Sequence, residues 1–342
     1  MRIRMRALFS GLRRVNVAEL IKENSIWVVL VVLALVFSAL VPAFRTQGNL
    51  ISMLRSISVL GILTIGLAVI LIGGGFDLSI ASLKSLGGIT FGALLISRAQ
   101  PWGVAALGAI AITTALGFVN GILVTKVKLN AFLATFAVGI AGLGLAQLVG
   151  SAGMGFFSGT DVPGFAFLGM GHLGPIPMQV VIFLVVVISI WYLITKCSFG
   201  RAIYASGSNE SAARMSGINV DGVRIKSYML SGFFCGLGGL IIAAQLGTVS
   251  VAGSQVAGFD VITLDTLAAV FIGGVSVLGG VGRISSVICA VIIIGVLTNG
   301  LSMLGIDSMQ VMLIKGVIII ISVMMDVYVR KGVRIQLRKH TS

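Results

Sequence analysis

The chain has 342 residues, of which 57% are hydrophobic and only 10% charged, and its mean hydropathy is +1.12. A soluble domain carries about 25% charged residues, so a water-soluble globular protein is excluded. The net charge of +14 does not point to nucleic acid, because the cations sit between apolar runs and at the two ends, as in the cytoplasmic loops of a membrane protein.

The first 25 residues are basic, with Arg2, Arg4, Arg6, Arg13, Arg14 and Lys22. The apolar run at 26–44 that follows is longer than the core of a signal peptide, and no small-x-small cleavage site comes after it. It reads as a retained first span, and Arg13-Arg14 as anchoring charge rather than a twin-arginine signal. A helix needs about 20 apolar residues to cross the hydrocarbon core. On that measure the candidate spans are 26–44, 56–73, 79–97, 103–124, 131–150, 178–195, 228–247, 260–280, 284–304 and 310–328. Gly and Asp interrupt the starts of the third and eighth, so each is a full, broken or re-entrant element. Two longer connections remain, at 151–177 and 196–227, and neither is large enough to be a domain.

Alternating the spans from an inner N-terminus places 19 of the 24 Lys and Arg residues on the inner side. Only Arg45, Arg55 and Arg98 fall outside, and Lys84 and Lys315 fall within spans. This bias predicts ten spans with both termini cytoplasmic. The domain plan is a basic N-terminus (1–25), one membrane domain (26–328) and a basic tail (329–342). Forty-six glycines are spread through the apolar runs, where they let helix backbones approach closely. Cys197, Cys235 and Cys289 lack metal-ligand spacing and read as small buried filler.

Gly75-Phe76-Asp77 recurs as Gly258-Phe259-Asp260, and the Asn120-Gly121 pair is echoed by Asn299-Gly300. The two matches keep their order at nearly the same offset. They predict two five-span halves, about 26–150 and 178–328. An odd number of crossings inverts the second half, an architecture common in transporters.

There is no G-x-x-x-x-G-K-[ST] phosphate loop, no H-E-x-x-H and no G-x-S-x-G. The only histidines are His172 and His340. No catalytic set, metal site or cofactor is expected, and the chain is not expected to be an enzyme. Charges inside the membrane segments mark pathways or helix breaks. Asp77, with Ser79 nearby, reads first as the cap of the helix that follows and second as a pathway contact. Asp260 and Asp265 pose the same question in the second half. Asn120 and Asn299 are expected to hold the two halves by interhelical hydrogen bonds. Lys315, near the outer end of the tenth span, is expected to snorkel to the interface.

The inner connection runs Phe199-Gly200-Arg201, then Ala205-Ser206-Gly207-Ser208-Asn209-Glu210, then Ala212-Ala213-Arg214-Met215-Ser216-Gly217-Ile218. Ser208 or Asn209 is a good N-cap, Glu210 suits the first turn, and Gly217 is a good stop. A helix of about two turns is expected there. An isolated helix that short is marginal in water, so the membrane surface or a partner must steady it.

These residues resemble the cytoplasmic coupling segment of ribose-type sugar permeases of ATP-binding-cassette importers. Two further stretches are similar to that family's motifs: Gly74-Gly75-Phe76-Asp77-Leu78-Ser79, and Gly273-Gly274-Val275-Ser276-Val277-Leu278-Gly279-Gly280-Val281-Gly282-Arg283. The resemblance runs over about 26–328. It implies a permease subunit that imports a monosaccharide such as ribose, arabinose, xylose or galactose. It also implies a second permease copy, a separate ATPase docked on the inner loops, and a periplasmic sugar-binding protein that delivers the substrate, all at the bacterial inner membrane and in contact with its lipid. The coupling residues it implies are Gly200, Arg201, Gly207, Asn209, Glu210, Ala212, Ala213, Arg214 and Gly217. The chain departs from the family at Ile80-Ala81-Ser82, at Asp260-Val261 and at Lys84, and these departures leave the sugar unassigned. The alternative reading is a stand-alone channel or secondary transporter for a small neutral solute.

Overall fold

The computed structural model describes residues 25–151, 162–247 and 261–339. Apart from a two-stranded hairpin at 172–177, its regular structure is helical. In chain order the helices are α1 (Ser25–Leu40), α2 (Gln47–Ile72), α3 (Ile80–Gly92, extended by a π-turn to Ser97), α4 (Trp102–Thr125), α5 (Ala131–Ser151) and α6 (Pro163–Met170). The hairpin leads into α7 (Met178–Thr195), α8 (Ser198–Ser208), α9 (Glu210–Met215), α10 (Val220–Leu246), α11 (Val261–Ile272), α12 (Ile284–Met303) and α13 (Ser308–Lys339).

Seven helices among the described residues are long and apolar enough to cross a membrane: α2, α3 with its extension, α4, α5, α7, α10 and α12. Three shorter apolar stretches lie at Ile26–Leu40, Val261–Ile272 and Ser308–Ser322. The protein is a polytopic all-α membrane protein. Each of the ten predicted segments overlaps one of these helices, but some boundaries differ. The second begins earlier, at Gln47, and the seventh begins at Val220, so Arg55, Arg224 and Lys226 are helical rather than loop residues. The eighth stops at Ile272, and residues 273–283 form turns instead, because Gly274, Gly279 and Gly280 adopt positive φ.

Helix α2 is the axis of the molecule. From Ile57 to Ile72 every residue is buried, matching a sequence that is apolar all round. At 26 residues it is about 39 Å long, more than the ~30 Å hydrocarbon core. Helix α10 packs beside it and against α3 and α4 through small residues. A methyl on Gly232 would lie 2.4 Å from the Thr113 carbonyl oxygen, and one on Gly239 2.2 Å from that of Lys84. In lipid no hydrophobic force drives apolar helices together, so this close backbone packing holds them. At the far end of α10, Phe165 of α6 stacks on Phe91 with ring centroids 4.0 Å apart. Large apolar side chains such as Leu35, Leu107, Leu148 and Ile188 are exposed around the periphery. On a soluble protein such a belt is an aggregation liability, and in a bilayer it is the lipid-facing surface.

Candidate functional site

Three glycine-bearing stretches far apart in sequence meet at one junction. The first is the end of α2. Gly74, at φ +77°, turns the chain out of the helix, while Gly74 N–H donates to Leu71 O and Gly75 N–H to Ile70 O. The second is α8. A methyl on Gly207 would lie 1.9 Å from Ile72 O and 2.5 Å from Gly280 N. The third is the 273–283 turn, whose Gly280 N–H donates to Ile72 O at 2.8 Å. Tyr204 Oη donates to Gly282 O at 2.7 Å and braces α8 against that turn. A methyl on Gly279 would come within 2.7 Å of Gly74 Cα. Only glycine allows three backbones to touch in this way.

Next to this junction α9 carries a network of charges. Asn209 is its N-cap, and its Oδ1 accepts from Ala212 N–H at 3.0 Å. Gly217 (φ +79°) ends it, with Gly217 N–H bonded to Arg214 O and Ile218 N–H to Ala213 O. Glu210 Oε1 accepts from Arg214 at 2.9 Å, and its Oε2 pairs with Arg224 Nη1 of α10 at 2.8 Å. Arg214 also pairs with Asp221, which in turn holds Lys126 at 3.0 Å. Arg224 Nε donates to Gly73 O at 3.3 Å. The chain of contacts therefore runs from α9, through Glu210 and Arg224, to the end of α2. The hydrogen bond from Arg214 holds the Glu210 carboxyl below its ordinary range; burial opposes it, and the positive charge and hydrogen bond of Arg224 add to the lowering. Exposed ion pairs contribute little to stability, so the geometric link is what matters here. The other residues named for this segment occupy defined places. Ala213 is buried, Ala212 and Arg201 are exposed, and a methyl on Gly200 would lie 2.0 Å from Ile194 O at the end of α7.

The extended segment that leaves α2 leads to Asp77, which is buried. Its Oδ1 accepts from Ser79 N–H at 2.8 Å and from Ser79 Oγ at 2.6 Å, and its Oδ2 accepts from Ser231 Oγ at 3.3 Å. Asn120 Nδ2 donates to Ser79 Oγ at 2.9 Å, and Leu78 N–H donates to Thr135 Oγ1 at 3.1 Å. Tyr228 Oη accepts from Phe76 N–H and donates to Phe76 O. The break before α3 is thus held by side chains from α4, α5 and α10.

The remaining sequence candidates are dispersed. Asn299 and Asn49 exchange reciprocal hydrogen bonds at 2.8 and 3.0 Å, which ties α12 to α2. Asn120 differs from the expectation, since it donates to Ser79 Oγ, within residues 26–150. Asp265 pairs with Lys315, whose Nζ lies 2.8 and 2.9 Å from the two carboxylate oxygens. Lys315 therefore does not snorkel. Its side chain is only 4% exposed, and it bridges α13 to α11 because a carboxylate is within reach. Asp260 lies outside the described residues.

Sequence reading missed Arg224, Tyr228 and Ser231. Their spacing of four and then three residues puts them on one face of α10, and that polar stripe in an apolar helix is the signal that points to them. Asn49 and Asp221 carry no comparable local signal.

Crossing helices, a helix interrupted at a buried carboxylate, and a charged surface segment linked to that interruption define a membrane permease. A family model described as "branched-chain amino acid transport system / permease component" matches residues 49–323, and the chain belongs to that family. It is 36% identical to the ribose import permease protein RbsC of Escherichia coli K12, over 93% of this chain and 97% of that protein. Identity is 33% to the galactose/methyl galactoside import permease protein MglC of the same strain, with the same coverage of both chains. With the D-allose transport system permease protein AlsC it is 31%, over 89% of this chain and 91% of that protein. No solved structure matches the chain.

Proposed function

We propose that this chain is the membrane-spanning subunit of an ATP-binding-cassette importer for a monosaccharide. The observation that carries the reading is the junction itself: the end of α2, α8 and the 273–283 turn interlock through Gly74, Gly207, Gly279 and Gly280. The import permeases named above agree with it. In this reading the chain crosses the bacterial inner membrane ten times in two inverted halves, with both termini cytoplasmic, and works as a homodimer. A separate ATPase docks on 200–218, where Asn209, Glu210 and Arg214 form the exposed face, and a periplasmic binding protein delivers the sugar to the other side.

The contacts supply a mechanical route. Movement of α9 is passed by Glu210 to Arg224 and so to the Gly73 carbonyl. Movement of α8 is passed by Gly207 to Ile72 and Gly280. Both routes end at the turn that leads to Asp77, where the backbone leaves helical geometry and a small displacement re-aims α3. The chain's part is binding and gating, while ATP is hydrolysed on its partner.

A gradient-driven carrier is the second reading, and the buried Lys315–Asp265 pair is the observation in its favour, since such pairs occur in proton pathways. Uptake of radiolabelled pentoses and hexoses separates the two. The measurement uses membrane vesicles holding this chain together with a candidate ATPase and binding protein, with and without ATP. Uptake that requires ATP and both partners supports the importer, and uptake by this chain alone overturns it. Glu210→Lys sets a third cation beside Arg214 and Arg224, and it is expected to abolish ATPase co-purification while membrane insertion is retained. Normal co-purification and uptake in that variant would remove α9 from the docking surface.

A further inference from the structure

Two recesses lie along one face of α10. The first, about 580 Å³, lies between α8 and the start of α10 and is lined by Ser198, Arg201, Asn219, Val223 and Lys226 among others. The second, about 510 Å³, lies between α7 and α10, and its lining of Met178, Ile182, Val185, Leu230, Phe233 and Leu237 is apolar. On α10 the residues Asn219, Val223, Lys226, Leu230, Phe233 and Leu237 follow one another at steps of four and three. That spacing places them on one stripe, so the polar recess continues into the apolar one.

The charges differ from those of the neighbouring network. Lys126, Arg214 and Arg224 each pair with Glu210 or Asp221. Arg201 and Lys226 are exposed, and no carboxylate among the described residues pairs with either. The first turn of α8 faces the same recess, and its N-cap, Cys197, makes no capping bond, so its N–H groups add positive potential. The depth also fits. Trp191 and Tyr192 are exposed near the end of α7, where aromatic residues mark the membrane interface, and Lys196 Nζ lies 5.9 Å over the Trp191 ring. From Lys226 to Leu237 α10 rises about 16 Å, and the α7 wall runs about 22 Å from Leu193 to Met178, so the apolar recess is long enough for one extended acyl chain. One leaflet's acyl chain matches the apolar recess, and its phosphate matches the cationic one.

We infer that this groove is a binding site for one anionic phospholipid of the inner leaflet, with the phosphate between Arg201 and Lys226 and an acyl chain between α7 and α10. The leaflet assignment rests on the orientation proposed above, and within 200–218 the Arg201 side chain is assigned to the lipid while Asn209, Glu210 and Arg214 face the ATPase. Basic pockets at the cytoplasmic ends of membrane helices recognise such headgroups, each cation contributing through the anionic lipid's charge.

The test is native mass spectrometry of the full chain, purified in detergent and mixed with dioleoylphosphatidylglycerol or dioleoylphosphatidylcholine. It reads lipid retention directly, so it stands apart from any failure of ATP-dependent uptake. The wild-type chain is expected to retain the anionic dioleoylphosphatidylglycerol preferentially, and Arg201→Gln with Lys226→Gln to lower that preference about 30-fold. Val185→Trp, which fills the apolar slot from an exposed position, is expected to lower retention of both lipids. Lys128→Gln with Arg98→Gln removes the same charge elsewhere and is expected to leave the preference intact. Equal retention of the two lipids by wild type overturns the site. So does an unchanged preference in the Arg201 and Lys226 variant, or an equal loss in the Lys128 and Arg98 control.

Discussion

Gly207→Ala is the most direct test of the three-way junction. The added methyl would lie 1.9 Å from Ile72 O, 2.5 Å from Gly280 N and 3.0 Å from the Ile72 carbonyl carbon. All three are backbone atoms, so no side chain can rotate away. Either α8 lifts from α2, or the 273–283 turn is pushed off and the 2.8 Å bond from Gly280 N–H to Ile72 O is lost. Overpacking costs about 1–3 kcal/mol and a lost hydrogen bond about 0.5–1.5, so the variant is expected to be destabilised by about 2–4 kcal/mol. Gly144→Ala is the control, because nothing lies within 4 Å of its added methyl. In a helix interior that change is expected to stabilise by up to about 1 kcal/mol. The assay is thermal unfolding of the two detergent-purified variants beside wild type, followed by ATP-dependent uptake. Gly207→Ala is expected to unfold at lower temperature and to lose uptake while it still inserts and binds detergent as a folded chain. A Gly207→Ala protein with wild-type unfolding and uptake would refute the interlock.

Three other outcomes follow from the same geometry. Lys315→Met takes from the buried Asp265 carboxylate the ammonium that lies 2.8 Å from it and is expected to cost about 3–5 kcal/mol, most of it recovered when Asp265→Leu is added; equal destabilisation of the single and double variants, read by denaturant unfolding, would contradict a buried pair. Asp77→Ala strands Ser79 N–H, Ser79 Oγ and Ser231 Oγ and is expected to cost about 3 kcal/mol or more, whereas Asp77→Asn keeps an oxygen for Ser79 and costs less; the same unfolding measurement orders them. The Glu210 carboxyl is depressed in the folded chain, so its contribution is complete above the ordinary Glu value of 4.5 and is lost as pH falls through the lower folded value. The stability difference between wild type and Glu210→Gln should therefore be constant near neutrality and vanish in acid, and a difference that grows on acidification would reverse the sign of the linkage.

Membrane class and helical class follow from sequence alone, because hydropathy is summed over about 20 contiguous residues and a span carries its whole signal within itself. The coordinates of α7 and α5 therefore coincide with the predicted segments at 178–195 and 131–150 almost to the residue. The caps of α9 were also legible, since the bonds at Asn209 and Gly217 span only three to five residues. Boundaries failed where a local rule competed with the apolar average: glycines of positive φ end α11 at Ile272 inside an apolar run, and α10 begins eight residues early, taking in Asp221 and Arg224, which find partners.

Which residues meet was decided by the tertiary structure. Gly74, Gly207 and Gly280 are each recognisable as glycine in a motif, yet nothing local says that their backbones touch. The Asn49–Asn299 and Asp265–Lys315 pairs lie 250 and 50 residues apart in the chain. In a soluble protein the apolar stripe of a helix marks its buried face, but here lipid and protein interior are equally apolar. Sequence periodicity therefore says little about which face packs, and the small residues and scattered polar groups choose partners only once the helices are side by side.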